Sequence, residues 1–166
     1  MLTIQDSIRI HAPMERLFRL STNIEIVQQT LKMKPIGAAT FVAADSRVHW
    51  RGWKFGWVTH HHTLITAFEE PHVQDGWHMA SFQDAQERGR FASFCHNHVF
   101  RQREGDTFTT LEDRVDFSLP FWMGGSLAER SLLAPYIRRL LQERFALLKE
   151  LAEGEGWRLY LRQQSR

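Results

Sequence analysis

An apolar stripe near the C-terminus constrains the fold of this chain more than any other feature. Its members recur at the spacing of an α-helix: Leu133, Tyr136, Ile137, Leu140, Leu141, Leu148 and Leu151. Pro135 predicts a short helix, opened by a capping box of Ser126 and Glu129, and then a long helix over about 135–152 that ends at Gly154. A helix of that length spans roughly 27 Å and can lie across a whole sheet.

A strand-rich region supplies the sheet that this helix must cover. Residues 3–10 alternate apolar and polar side chains, as a half-buried strand does, and Pro13 is placed to begin the first of two short helices that reach about residue 30. Aromatic and β-branched residues predict further strands at 41–50, 54–68, 72–79, 91–103 and 107–119. The predicted loops, turns and connections are 31–39, 51–52, 69–71, 83–90 and 104–106.

This order of elements predicts an α+β fold of the helix-grip type. A curved antiparallel sheet of about six or seven strands wraps around the long C-terminal helix, and two short helices follow the first strand. The 166 residues and 19.6 kDa suit a single domain over 1–166, with 152–166 as a C-terminal extension.

Composition excludes several classes of function. The net charge is only +2 and no basic stripe is visible, so we expect no nucleic-acid partner. Cys95 is the single cysteine, which excludes an internal disulfide and a multi-cysteine zinc site. The sequence shows neither a signal peptide nor a transmembrane segment, so we expect a cytoplasmic protein.

Four residues at a strict period of two carry the strongest candidate chemistry. Phe94, His96, His98 and Phe100 fall on one face of a predicted strand, and Asp113 alternates with Leu111, Val115 and Phe117 on its neighbour. A buried carboxylate needs a partner, and an imidazole is the nearest one. The pair is either a cross-strand hydrogen bond that fixes register or an acid–base pair that meets a ligand, and the sequence alone leaves both open.

A metal is a further interpretation of His96, His98 and Asp113 that the sequence supports weakly. His-x-His spacing is common without a metal, so we predict no metal and no cofactor. The run His60, His61 and His62 does little to strengthen the case for a metal, because a strand places neighbouring residues on opposite faces. Common motifs of hydrolases, nucleotide-binding proteins and metalloproteases are absent from the sequence.

An aromatic cluster at a predicted turn has two interpretations. Trp50, Trp53, Phe55 and Trp57 either pack on the core or form an exposed patch that contacts a partner, and a homodimer is one such possibility.

Three segments resemble the SRPBCC superfamily of START-like, helix-grip proteins, and within it the bacterial polyketide cyclase/dehydrase-like members. They are Ile8-Arg9-Ile10-His11-Ala12-Pro13-Met14-Glu15-Arg16-Leu17-Phe18, the stretch 84–100, and Asp113-Arg114-Val115-Asp116-Phe117 with Pro120 and Gly124-Gly125. The resemblance implies a cavity between sheet and C-terminal helix for a hydrophobic small molecule. Two departures, Arg90 after Gly89 and Trp122-Met123, fall where the resemblance places the cavity mouth.

We therefore expect a carrier or sensor of a hydrophobic or amphipathic molecule. The expected walls are Phe94, Phe117, Trp122, Tyr136 and Leu140, with His96, His98 or Asp113 meeting one polar group of the ligand. One alternative is an enzyme of cyclase, dehydratase or isomerase type that uses the same His and Asp residues as catalytic groups. Another is a protein-interaction module built on the aromatic cluster.

Overall fold

A computed structural model of the chain describes residues 1–37, 39–54 and 56–161. In these residues seven strands form one antiparallel sheet in the order β1-β7-β6-β5-β4-β3-β2. The strands are β1 Leu2–Ile10, β2 Lys34–Ile36, β3 Arg47–Lys54, β4 Trp57–Gln74, β5 Trp77–Arg88, β6 Ser93–Arg103 and β7 Thr109–Ser118.

The helices confirm the predicted helix-grip arrangement. They are α1 Met14–Thr22, α2 Ile24–Leu31, a 3-10 turn Phe121–Met123, α3 Gly125–Ala128, a π-helical turn Glu129–Leu133, α4 Ala134–Glu153 and α5 Trp157–Leu161. Asn23 starts α2, because its side chain accepts hydrogen bonds from the backbone N–H groups of Glu25 and Ile26. Gly154 ends α4, and its N–H donates to the Glu150 carbonyl. None of the described helices is long and apolar enough to cross a bilayer.

Two boundaries predicted inside β4 and β5 are wrong. The proline at 71 does not end β4; the register shifts between Glu69 and His72, and this irregularity accommodates a residue that cannot donate to the ladder. The chain turns instead at Asp75 and Gly76, both with positive φ, so the predicted strand 72–79 is divided between β4 and β5.

The predicted connection 83–90 and the predicted turn 51–52 belong mostly to strands. β5 continues to Arg88, where it pairs with His62 of β4, and the exposed Glu87 forms an ion pair with Arg47. Gly52 lies within β3, where a Cβ would come 2.9 Å from the Met33 side chain, so close approach rather than a turn accounts for the glycine. That neighbouring segment, predicted as loop 31–39, contains β2.

The predicted capping box before the long helix is also wrong. Ser126 makes no capping hydrogen bond, and the Glu129 carboxylate accepts from the backbone N–H of Leu119, 2.8 Å away. The helical segment thus begins after Gly124, whose φ of 92° favours glycine. Glu129 anchors the end of β7 to this helix.

The core differs between the two halves of α4. In the C-terminal half, Phe145, Leu148 and Ala152 pack against α1 and the sheet, where Phe18 lies 5.5 Å from Phe100 between ring centres. In the N-terminal half, the helix packs on a smaller cluster of Ile4, Val115, Phe117, Leu133, Ala134, Ile137 and Leu141. The N-terminal half therefore leaves space between helix and sheet.

The C-terminal extension contacts the core. Trp157, Tyr160 and Leu161 of α5 pack against the cluster around α1. The Tyr160 hydroxyl accepts from Gln29 Nε2 at 2.9 Å, and the Arg16 guanidinium lies over the Trp157 ring. Leu159 remains exposed.

Candidate functional site

Two adjoining cavities occupy the space between sheet and helices. The outer cavity, about 200 Å³, lies under the N-terminal half of α4 and has walls that include Phe91, Phe94, Leu119, Tyr136 and Leu140. The inner cavity, about 100 Å³, extends toward α2, and its lining includes Ser21, Val48, Trp50, Phe82 and Asp84. The two cavities are adjacent and share the lining residues Thr30, Leu31, His61, Phe94, His96 and Arg144.

Five of the eight expected ligand-binding residues line these cavities. Phe94, Tyr136 and Leu140 lie on the outer one, and His96 and His98 reach the inner one. Two of the departures noted in the sequence, Arg90 and Met123, also line the outer cavity.

The other three lie elsewhere. Among the described residues that line the cavities, Asp113, Phe117 and Trp122 do not occur. Asp113 and Phe117 are fully buried, Asp113 behind the histidines and Phe117 in the cluster under α4. Trp122 belongs to the 3-10 turn, and its side chain is 80% exposed, so the aromatic ring expected as a wall faces solvent.

A largely buried polar cluster, defined as Asp84, His96, His98, Asp113 and Arg144, lies at the inner cavity: four of its members line that cavity, and Asp113 lies behind the histidines. The antiparallel register places His98 opposite Asp113, and the two side chains meet with 2.7 Å between Nδ1 and Oδ1. Arg144 of α4 donates to the other oxygen of Asp113. Helix and sheet are thereby joined through one carboxylate.

Asp84 completes the cluster from β5. Register places it opposite His96, and its Oδ1 lies 3.8 Å from His96 Nδ1 and 3.6 Å from His98 Nε2. The imidazole ring centres are 3.8 Å apart, and Phe82 stacks on His98 at 4.1 Å. Each histidine therefore lies between two carboxylates, one on each neighbouring strand.

Burial and fixed charge act against each other in this cluster. Burial opposes ionisation of Asp113, but the Arg144 guanidinium and the two histidines hold the pKa of that carboxyl well below its usual value. Burial opposes ionisation of Asp84 as well, yet its contacts with the histidines lower its pKa. Burial, followed by the nearby His98, lowers the pKa of His96, so its imidazole is neutral at pH 7.

Three buried polar atoms at the inner cavity have no hydrogen-bond partner among the described residues. They are Ser21 Oγ, His96 Nε2 and Arg144 Nη2. The contact of His96 Nε2 with Asp113 Oδ2, at 3.6 Å, is longer than a hydrogen bond. Because buried polar groups are normally paired, these atoms indicate a place where a ligand's polar group or a water belongs.

Comparison with known proteins supports the fold. No protein-family model and no curated protein matches the sequence. Solved structures do match: the protein TTHA0849 of Thermus thermophilus, at 18% identity over 99% of this chain and 100% of that one, has a TM-score of 0.55. Ginseng major latex-like protein 151 of Panax ginseng, at 12% identity over 92% and 98%, has a TM-score of 0.60. The chain has the helix-grip fold. At these identities the likeness shows the fold alone.

Two members of the polar cluster were not predicted from the sequence, although each leaves a signal there. Asp84 lies two residues after Phe82 and four after Ala80, and both of these are buried on the inner sheet face. Arg144 lies between Leu141 and Leu148 on the apolar stripe of α4, where a charge is unexpected. Each of the two is a charged residue at a position where the repeating pattern predicts an apolar side chain, and this is the signal by which it can be found.

The histidines of β3 and the first half of β4 divide between the two faces of the sheet. His61 lines both cavities and lies 5.5 Å from the Phe94 ring, and burial lowers its pKa. On the outer face, His49 stacks on His62 at 4.0 Å and contacts His60, with 2.8 Å between ring nitrogens.

The aromatic cluster divides in the same way. Trp50 is buried and donates from Nε1 to Thr63 Oγ1 at 3.1 Å. Trp53 and Trp57 are 71% and 66% exposed. Phe55 lies outside the described residues. Cys95 is a free thiol whose pKa is raised by burial, as an unreactive cysteine requires.

Proposed function

We propose that residues 1–166 form a single START-like ligand-binding domain of the SRPBCC type, with 152–166 as its extension, that carries or senses a hydrophobic or amphipathic small molecule. One observation carries the proposal: an apolar cavity of about 200 Å³ ends on a polar floor where His96 Nε2 and Arg144 Nη2 have no hydrogen-bond partner among the described residues. Ligand sites are typically apolar spaces with a few convergent polar groups.

The two ends of the space favour different parts of a ligand. Phe91, Phe94 and Leu140 offer an apolar wall at the outer end, which gains free energy when a ligand displaces water from it. At the inner end, Arg144 offers an unused N–H donor, so a carbonyl, hydroxyl or carboxylate oxygen fits there. The proposed ligand therefore has one polar end that enters first and an apolar body behind it.

A catalytic role in a cyclase, dehydratase or isomerase type of reaction is the second candidate. It is favoured by His96, whose neutral imidazole reaches both cavities and is flanked by Asp84 and Asp113. Such a group can accept or return a proton at a bound substrate. For this candidate, His96→Gln abolishes turnover while substrate affinity changes little; loss of both together would indicate a positioning role.

Native mass spectrometry of the purified full chain tests the proposal first. Denaturing extraction should release a co-purifying apolar molecule and reveal its chemical class. The protein stripped of that molecule is then titrated with the fluorescent probe 1-anilinonaphthalene-8-sulfonate.

Matched tryptophan variants locate the binding. Leu140→Trp fills the outer cavity and should weaken probe binding at least tenfold, whereas Leu132→Trp, at an exposed position of the neighbouring π-helical turn, should leave it unchanged. Equal binding by Leu140→Trp and the unmodified chain would contradict the proposal.

A further inference from the structure

We propose that Asp84, His96 and His98 bind one divalent transition-metal ion, of the Zn²⁺ or Fe²⁺ class, at the inner end of the cavity. This inference does not depend on the proposed organic ligand. It concerns the one group of His, Cys, Asp and Glu side chains in the described residues whose donor atoms all lie within 4.8 Å of one another.

The donor atoms have the spacing that a small cation needs. Asp84 Oδ1 lies 3.8 Å from His96 Nδ1 and 3.6 Å from His98 Nε2. Bonds of about 2.0–2.1 Å in a tetrahedral site separate neighbouring ligand atoms by about 3.4 Å. The two Asp84 distances exceed this value by a few tenths of an ångström, and all three donor atoms lie within 4.8 Å of one another, so a small inward movement of the side chains brings them onto one ion. All three residues also border the inner cavity, which leaves room for a further ligand.

Asp113 fixes the orientation of the His98 imidazole, with 2.7 Å between His98 Nδ1 and Asp113 Oδ1. An ionised carboxylate only accepts, so in the metal-bound state Nδ1 carries the proton and Nε2 binds the ion. His96 Nε2, 3.6 Å from Asp113 Oδ2, is too far for a hydrogen bond, and His96 Nδ1 faces Asp84 at 3.8 Å. A carboxylate behind the ligating histidine is the usual outer support of a metal site.

Charge also favours a cation at this position. The cluster holds two carboxylates, Asp84 and Asp113, against one guanidinium, Arg144, and all three side chains are at most 19% exposed. Buried negative charge in excess is costly unless a cation compensates it. Two imidazoles with one carboxylate, and space for a further ligand, suit Zn²⁺ and Fe²⁺ rather than Mg²⁺ or Ca²⁺, which prefer oxygen donors.

The test must separate this site from the exposed imidazoles on the outer face. Tag-free protein that carries His49→Ala and His62→Ala, which removes the outer His49–His62 stack, is stripped with a chelator and titrated calorimetrically with Zn²⁺. Co²⁺ serves as a second probe, because its visible spectrum reports nitrogen and oxygen ligands. We expect one equivalent of tightly bound metal. No binding in this background would overturn the proposal.

Three further variants in the same background assign the ligands. Asp84→Asn and His96→Gln should each lower Zn²⁺ affinity about 100-fold or more, and Asp113→Asn about 10–100-fold through lost orientation. Circular dichroism verifies that each variant folds, and Asp84→Asn preserves side-chain shape. Unchanged affinity in folded Asp84→Asn would refute the assignment. Binding of the apolar probe is measured beside it, so failure of the metal site and failure of the ligand cavity are distinguishable.

Discussion

The two faces of β7 stabilise a carboxylate in different ways. Asp113 points inward and is completely buried, and Arg144 and His98 hold its charge. Asp116, three residues further along, points outward and has solvent beside it. The strand geometry is the same at both positions, so the surroundings of each carboxylate determine how its charge is stabilised.

The pKa values of both carboxyl groups are lowered, but the causes differ. For Asp113, burial opposes ionisation, and the fixed charge of Arg144 overcomes that opposition. For Asp116, the hydrogen bond from Thr3 Oγ1, at 2.5 Å, is the largest cause, and Arg114 adds to it. The inner carboxylate depends on partners that water cannot replace, whereas the outer one can exchange its partners for water.

Removal of the inner partner should give the largest effect. Arg144→Met leaves the Asp113 charge buried without its cation, and we expect a loss of about 3–5 kcal/mol in the free energy of unfolding. Arg139→Met is the matched control, because Arg139 is exposed on the same helix and pairs with Glu143 at 2.8 Å. We expect a change within about 0.5 kcal/mol there. Urea denaturation measures the free energy of unfolding of both variants. Equal losses would contradict the claim that the inner carboxylate depends on its partner more than an exposed one does.

The tryptophans of β3 allow the same comparison of a buried and an exposed position for an uncharged side chain. Trp50→Phe removes the donor to Thr63 Oγ1 and part of a buried ring, so we expect a loss of about 1–3 kcal/mol. Trp53→Ser, at an exposed position of the same strand, should change stability by no more than about 0.5 kcal/mol. Size-exclusion chromatography of Trp53→Ser also tests the interaction-module hypothesis: a shift from dimer to monomer would favour it, and an unchanged monomer would count against it.

A pH titration should give the smallest effect, at Asp116. Because its pKa in the fold is below the usual 3.8, the carboxylate adds stability at every pH above that value and loses this contribution as pH falls through the folded pKa. The melting-temperature difference between the unmodified chain and Asp116→Asn should therefore be constant from pH 7 to about pH 5 and shrink in stronger acid. A difference that grows in acid would contradict the assigned cause.

The sequence predicted the inner face well where one period was unbroken. Alternation from Phe94 to Phe100 and from Leu111 to Phe117 grouped His96 and His98 with Asp113, and the strand register selects His98 as the residue opposite Asp113. It did not show how close Arg144 comes, because that contact joins a helix to a strand 31 residues away. The sequence pattern does not show which residue of a helix lies over which residue of a strand, so a contact of this kind can be identified only from the three-dimensional structure.

Other predictions were wrong where the local sequence is compatible with two different structures. The charged run around Asp84 is typical of a connection, but here it belongs to β5, and charged side chains of the run find partners on other strands. Pro71 is typical of a strand end, but a shift of register accommodates it. Trp122 is typical of an apolar wall, yet it lies in a surface turn. In each case tertiary neighbours decided between two locally acceptable structures.

The short strand β2 has a consequence for self-association. It is one edge of the sheet, has only three residues and contains Pro35, so it offers little backbone on which another strand can pair. The other edge, β1, carries the exposed charges of Asp6 and Arg9, and charged side chains on an edge strand discourage an added strand. Pairing of a further strand onto either edge of the sheet is thus disfavoured, so side-chain contacts are the favoured way for two copies to associate.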